Sequence, residues 1–133
     1  MKLDHVGIAV KSIDEARKFY EEGLELEAAP SVEEVAGEKV KVLKLKCAEP
    51  TKIELIEATS PDSTIAKFIE KRGPGLHHLC YQSDDIEADT KRLKDQGFTA
   101  LWNEPRQGAD GCLVIFFHPK ETHGVLTELS QAK

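Results

Sequence analysis

Two histidines and two glutamates recur at matching places in this 133-residue chain. Leu3-Asp4-His5-Val6 opens one strand-like run and Leu76-His77-His78-Leu79 opens another, with His5 and His78 73 positions apart. Towards the end of each half an apolar strand carries one acid, Ile53-Glu54-Leu55 and Thr127-Glu128-Leu129, with the two acids 74 positions apart. At the same offset Ile13 falls on Ile86. A fixed period marks an internal duplication, and the duplicated types are metal ligands. Imidazole nitrogen and carboxylate oxygen together suit a divalent first-row ion: Zn, Co, Mn, Ni or Fe. Four protein ligands in an octahedral arrangement leave two positions open, and open positions separate a catalytic centre from a structural one. A lone histidine on a strand is more often a hydrogen-bonded polar residue than a ligand, and a lone strand glutamate usually faces water. Repetition shifts that balance, because chance would have to place both types twice.

The elements that must position these residues also repeat. Residues 3–10 alternate as a strand. Ser12-Ile13-Asp14-Glu15 has the pattern of a capping box, and the helix it opens is expected to bury Ile13, Ala16, Phe19 and Tyr20 and to stop at Gly23. Val40–Leu45 and Lys52–Ile56 read as strands joined by a turn around Ala48-Glu49-Pro50. The adjacent apolar pair Val42-Leu43 interrupts the alternation and suggests a bulge. Ser60-Pro61 marks a helix start, and Ile65, Phe68 and Ile69 form the apolar stripe of that helix. Arg72-Gly73-Pro74-Gly75 then breaks the chain. The second half follows the same plan: a strand over Leu76–Gln82, a helix from Asp84 or Asp85 to Gly97, and strands at Phe98–Trp102, Cys112–Phe117 and Val125–Leu129. Each half is β-α-β-β-β. The reading is an α+β fold of two tandem βαβββ modules (module 1 about 1–58, linker helix about 60–72, module 2 about 75–131), forming a single domain over 1–133. If each module curls its sheet, its first and last strands become neighbours. The whole is then a curved mixed sheet around a metal-binding cleft.

Composition narrows the function. A formal charge of −6 argues against nucleic acid as a partner, and Lys39, Lys41, Lys44 and Lys46 alternate like the wet face of a strand. The longest apolar runs, such as Leu113–Phe117, fall far short of the ~20 residues that span a bilayer. Cys47, Cys80 and Cys112 are an odd number without CxxC spacing, so no disulfide framework is expected. With no signal-peptide pattern behind Met1, a cytoplasmic location is expected, with no membrane partner. A chain of this length can bury a real core, whereas either half alone would be marginal.

The opening Leu3-Asp4-His5-Val6-Gly7-Ile8-Ala9-Val10 resembles the vicinal oxygen chelate superfamily, whose members use paired βαβββ modules. Within it the chain is similar, along nearly its whole length, to the methylmalonyl-CoA epimerase family. The similarity is carried by Thr51–Glu57, Asp62–Phe68, Gly75-Leu76-His77-His78-Leu79, His118-Pro119-Lys120 and Gly124–Leu129. The resemblance implies metal ligands at His5, Glu54, His78 and Glu128, the four residues already selected by the repeat. It also implies one divalent ion per chain, with Co2+ first and Mn2+, Zn2+ or Ni2+ as alternatives. The implied substrate is a small acyl-CoA and the implied assembly a homodimer. In the His77-His78 pair the second is the ligand, and His77 turns to the other face.

The reaction that the resemblance implies links the 2R and 2S forms of methylmalonyl-CoA through an enolate. Inversion at one carbon favours two bases, one per face. Glu128 takes one role. The family draws the other from the strand region that reads Gly37-Glu38-Lys39-Val40-Lys41-Val42 here. Val42 stands at the strand-interior position, so Glu38 is the nearest acid and the expected second base, with a lysine as a possible substitute. Cys80 shares a strand face with His78, but a small buried thiol is the simpler reading. His118-Pro119-Lys120 could set a cation near an acyl-CoA phosphate or be an ordinary turn. His123 reads as a loop residue, and Gly108-Ala109-Asp110-Gly111 lacks phosphate-loop spacing. A glyoxalase I-like lyase (lactoylglutathione lyase) uses the same scaffold, but the His-His strand and the linker helix fit it poorly. A metal-dependent dioxygenase would carry a two-His, one-carboxylate set, and a non-catalytic binding protein of this fold would normally lack the ligands.

Overall fold

The computed structural model describes residues 1–133. In chain order the elements are β1 (Leu3–Ala9), α1 (Ile13–Arg17), a π-helical turn (Lys18–Gly23), β2 (Glu27–Ala28), β3 (Glu33–Val35), a 3-10 turn (Ala36–Glu38), β4 (Val40–Lys46), β5 (Lys52–Ala58), α2 (Thr64–Arg72), β6 (Gly75–Gln82), α3 (Ile86–Asp95), β7 (Arg106–Gln107), a 3-10 turn (Ala109–Gly111), β8 (Leu113–Phe117) and β9 (Thr127–Gln131). Two compact units form: one spans His5–His77, and the other joins Met1–Asp4 to His78–Lys133. No helix is long and apolar enough to cross a membrane.

In the first unit β5 lies between β1, which it meets in parallel, and β4, which it meets antiparallel; β2 and β3 both pair with β4. The β4–β5 pairing runs unbroken from Val40 opposite Ala58 to Lys46 opposite Lys52, so the expected bulge at Val42-Leu43 is absent. The two residues point to opposite faces, and both faces are covered. Leu43 packs with Leu45, Leu55, Val10 and Ile13 beneath α1, while Val42 packs with Val40, Ile56, Ala9 and Ile65 of α2. A strand buried on both sides loses its polar–apolar alternation without any slip in register.

Helix α1 starts where expected, with Ser12 Oγ accepting from the Glu15 N–H. After Arg17 it widens into the π turn, which carries Phe19 out of the apolar stripe and leaves it 58% exposed. Helix α2 begins later than Ser60-Pro61 suggests. Its N-cap is Ser63, whose Oγ accepts from the Ala66 N–H at 3.0 Å. Ser60 and Lys39 instead hold the Asp62 carboxylate, the lysine contributing more, and bring its pKa down to about 2.

The second unit repeats the plan. Strand β9 lies between β6, in parallel, and β8, antiparallel; β7 pairs with β8. Asp85 caps α3 through the Ala88 N–H, and Gly97 (φ +97°) follows its end. The strand expected over Phe98–Trp102 reduces to one bridge, Ala100 to Phe117. The reason lies in the short edge of β8, whose other end is taken by Arg106 opposite Val114. Ile86, Ile115, Phe117 and Leu129 form this unit's core. The N-terminal residues join it directly: the Lys2 carbonyl accepts from the Gln82 N–H, and Asp4 accepts from the Gln82 side-chain amide at 2.8 Å.

One contact recurs in both units. The first N–H of α1, from Ile13, donates to Glu57 Oε1 at 2.7 Å, and that of α3, from Ile86, donates to Gln131 Oε1 at 2.7 Å. Each acceptor stands three residues beyond Glu54 or Glu128 on the same strand, facing the helix. Each helix is thereby pinned to the strand that carries the acid. Glu57→Ala should cost about 1–3 kcal/mol, because it leaves an N–H orphaned at a helix start and removes a charged acceptor. Gln131→Ala should cost about 0.5–1.5 kcal/mol. Urea unfolding should show both as lower midpoints at unchanged m-value.

Candidate functional site

The first and last strands of each unit run in parallel, and their register fixes which side chains meet. Glu54 lies opposite Gly7, two residues beyond His5. Glu128 lies opposite Cys80, two residues beyond His78. Side chains two apart on a strand share a face, so each glutamate faces the histidine diagonally across the same pair of strands. The side chains touch in both units. His5 Nδ1 is 3.1 Å from Glu54 Oε2, and His78 Nε2 is 3.1 Å from Glu128 Oε1. All four residues are buried, at 6 or 7% exposure.

Burial gives these pairs their meaning. Withdrawing a carboxylate from water costs several kcal/mol even with a partner, and apolar residues of similar size often do as well or better for stability. The fold therefore gains little from two such pairs. Their chemistry fits a ligand role: each unit offers one imidazole nitrogen and one carboxylate, the donors that a divalent first-row ion takes. A carboxylate in that setting can also accept a proton from a bound carbon acid.

The neighbours across the antiparallel ladders differ between the units. Lys44 of β4 lies directly opposite Glu54, and Phe116 of β8 directly opposite Glu128. Residues opposite one another on a ladder share a face about 5 Å apart. One acid thus has an ammonium-bearing neighbour and the other an aromatic ring. The Phe116 ring lies edge-to-face with His78, 5.3 Å between centroids, and with Trp102 at 5.6 Å. Arg106 in turn sits over Trp102 at 4.2 Å. Sequence reading placed Lys44 on a wet strand face with Lys39, Lys41 and Lys46. Instead Lys44 is half-buried opposite Glu54, while Lys41, three residues away, takes the other face opposite Glu57. Phe116 was not singled out. The available signal was pairing: once Lys52–Ile56 and Val40–Leu45 are taken as a hairpin around Ala48-Glu49-Pro50, the residue across from Glu54 follows.

The remaining candidates fall outside this pattern. Glu38 ends the 3-10 turn before β4, half-buried and not on the strand. Val40, the first residue of β4, is already four residues from Lys44, roughly 13 Å along a strand. Cys80 is fully buried opposite Glu128, its thiol directed at the Tyr81 carbonyl, 3.8 Å away. His77 packs edge-on against Phe68 of α2 at 4.9 Å. His118 Nδ1 accepts from the Lys120 N–H, which makes His118-Pro119-Lys120 a turn. His123 is an exposed loop residue at φ +59°. Gly108 lies where a Cβ would meet Val114 at 3.0 Å, a packing reason for glycine.

Comparison with known proteins extends these observations over the whole chain. The family model described as the Glyoxalase/Bleomycin resistance protein/Dioxygenase superfamily matches residues 4–116. The chain is 41% identical to the ethylmalonyl-CoA/methylmalonyl-CoA epimerase of Cereibacter sphaeroides, covering 98% of this chain and 97% of that one. It is 38% identical to the mitochondrial methylmalonyl-CoA epimerase of Homo sapiens, covering 98% of this chain and 74% of that one. Its structure matches that of Streptomyces coelicolor methylmalonyl-CoA epimerase in complex with 2-nitronate-propionyl-CoA with a TM-score of 0.94, at 34% identity over 99% of this chain and 97% of that one.

Proposed function

The chain belongs to the glyoxalase/bleomycin resistance protein/dioxygenase superfamily, with its vicinal oxygen chelate fold, and from that premise we propose that it is a metal-dependent epimerase interconverting the 2R and 2S forms of methylmalonyl-CoA. The observation that carries the proposal is the twice-built His–Glu pair, buried and in equivalent register in both units. Full-length similarity to epimerases of this substrate supports it.

By this reading His5, Glu54, His78 and Glu128 would hold one divalent ion per chain, Co2+ first and Mn2+, Zn2+ or Ni2+ as alternatives. Two neutral imidazoles and two carboxylates balance its charge, and the borderline donor set suits these ions. When bound, the ion supplies Lewis acidity to the thioester and carboxylate oxygens of the substrate. Glu128 accepts the C2 proton: the C2–H bond breaks, its electron pair moves into the thioester carbonyl, and the proton rests on the Glu128 carboxylate. Return of a proton to the opposite face completes inversion. Glu38 was the acid nearest in sequence for that second role, but its turn lies far from Glu54 along β4. Lys44, level with Glu54, is the better-placed donor of the first unit. The active unit is a homodimer, in keeping with large apolar side chains left at the surface, such as Leu76 at 71% exposure.

Metal content is the first test. Protein incubated with Co2+, Mn2+ or Zn2+ and desalted should retain about one ion per chain, and His78→Ala should weaken retention by well over tenfold. Protein that stays metal-free throughout would remove the ligand assignment. The chemistry is tested in deuterated solvent. Wild type should wash deuterium into C2 of methylmalonyl-CoA, and Glu128→Gln should lower exchange by 10²–10⁴-fold, the usual worth of a general base. Lys44→Met should slow inversion more than exchange, whereas Glu38→Gln should stay within a few-fold of wild type. Metal-loaded protein that neither exchanges nor inverts, yet turns over a methylglyoxal–glutathione adduct, would transfer the assignment to a lactoylglutathione lyase. Sedimentation equilibrium should give twice the chain mass at micromolar concentration, and a monomer there would refute the dimer.

A further inference from the structure

We infer that Phe116 sets the size of the alkyl group that the enzyme accepts on C2 of a malonyl thioester. The inference rests on the epimerase reading, with Glu128 as the base, and adds the substrate range.

A base that takes the C2 proton must come within about 3 Å of it. The other groups on C2 are then held beside the same carboxylate. Two of them, the thioester and the carboxylate, are polar and have the ion and charged side chains to meet. The third is the alkyl substituent, and it needs apolar surface. Around Glu128 the register supplies a short list of same-face neighbours: Cys80 across β6, Phe116 across β8 and Ser130 two residues along β9. Cys80 and Ser130 are small and buried. Phe116 is large, apolar and only half-buried, although both of its strand neighbours, Ile115 and Phe117, are buried. It is therefore the side chain of β8 that an alkyl group beside Glu128 would meet.

The ring is also braced. His78 meets it edge-on from one strand, Trp102 edge-on from the preceding loop, and Arg106 covers Trp102. A side chain held between two aromatic partners cannot swing aside for a longer substituent without breaking both edge-to-face contacts. The equivalent place in the first unit is taken by Lys44. A relative 41% identical to this chain is named for both ethylmalonyl-CoA and methylmalonyl-CoA, which makes one methylene the relevant difference.

The test compares kcat/KM for methylmalonyl-CoA, ethylmalonyl-CoA and propylmalonyl-CoA in wild type, Phe116→Ala, Phe116→Leu and Phe116→Trp. One methylene against a rigid apolar wall is worth about 10–200-fold. The ethyl-to-methyl ratio should rise about tenfold or more in Phe116→Ala and less in Phe116→Leu, and should fall in Phe116→Trp. Calorimetric titration of ethylmalonyl-CoA into Glu128→Gln, with and without Phe116→Ala, should show tighter binding in the double variant. Circular dichroism and metal content identify any variant that fails to fold, and the other two then decide. Ratios that stay within twofold of wild type in the folded variants would overturn the inference while leaving the epimerase reading intact. Wild-type protein inert towards all three thioesters would bring down the epimerase reading itself.

Discussion

Everything at the candidate site depends on the register between the first and last strands of each unit. With Gly7 opposite Glu54 and Cys80 opposite Glu128, each histidine stands two residues from the partner of its acid. A slip of one residue in either pairing would send the glutamate to the other face of the sheet. The slip is prevented from the far side. Glu57 and Gln131, three residues along and on that other face, are hydrogen-bonded to the first N–H of the helix packed there. The helices α1 and α3 are thus registration devices as well as covers for the core. A buried acid, costly in itself, is held in place by a second polar residue on the same strand.

The duplication is faithful in this scaffold and broken around the acids. Strand directions, helix anchors and His–Glu contacts repeat. The residues across from the acids do not: lysine beside one, phenylalanine beside the other. Duplication of a strand–helix unit yields two carboxylates in equivalent register. Their ladder neighbours, one charged and one aromatic, make their surroundings unlike.

The repeated spacing of His and Glu, the strand–helix order of each half and the helix between them were legible in the sequence because each is encoded by residue type at a fixed spacing. What escaped lay between segments. The alternation in β4 fails at Val42-Leu43 because α1 and α2 cover opposite faces, and a single sequence cannot distinguish that from a bulge. Phe19 looks like a core residue until the helix changes its winding. Phe98–Trp102 has strand propensity, yet the short edge of β8 is shared with β7, so it forms only one bridge. Phe116 was invisible, and Lys44 was read as a wet-face lysine, for the same reason. Their importance comes from the residue across the ladder, and sequence displays only the residue alongside.

The asymmetry also suits the reaction as a problem in geometry. Epimers at C2 differ in which face bears the proton, so two faces must be served. Once the proton leaves, C2 is planar, and the alkyl group lies in that plane whichever epimer was bound. Its position therefore changes little between the 2R and 2S forms while the two polar arms stay anchored. One rigid apolar wall can serve both epimers. Phe116 is the aromatic ring opposite Glu128, and Lys44 takes the equivalent place opposite Glu54.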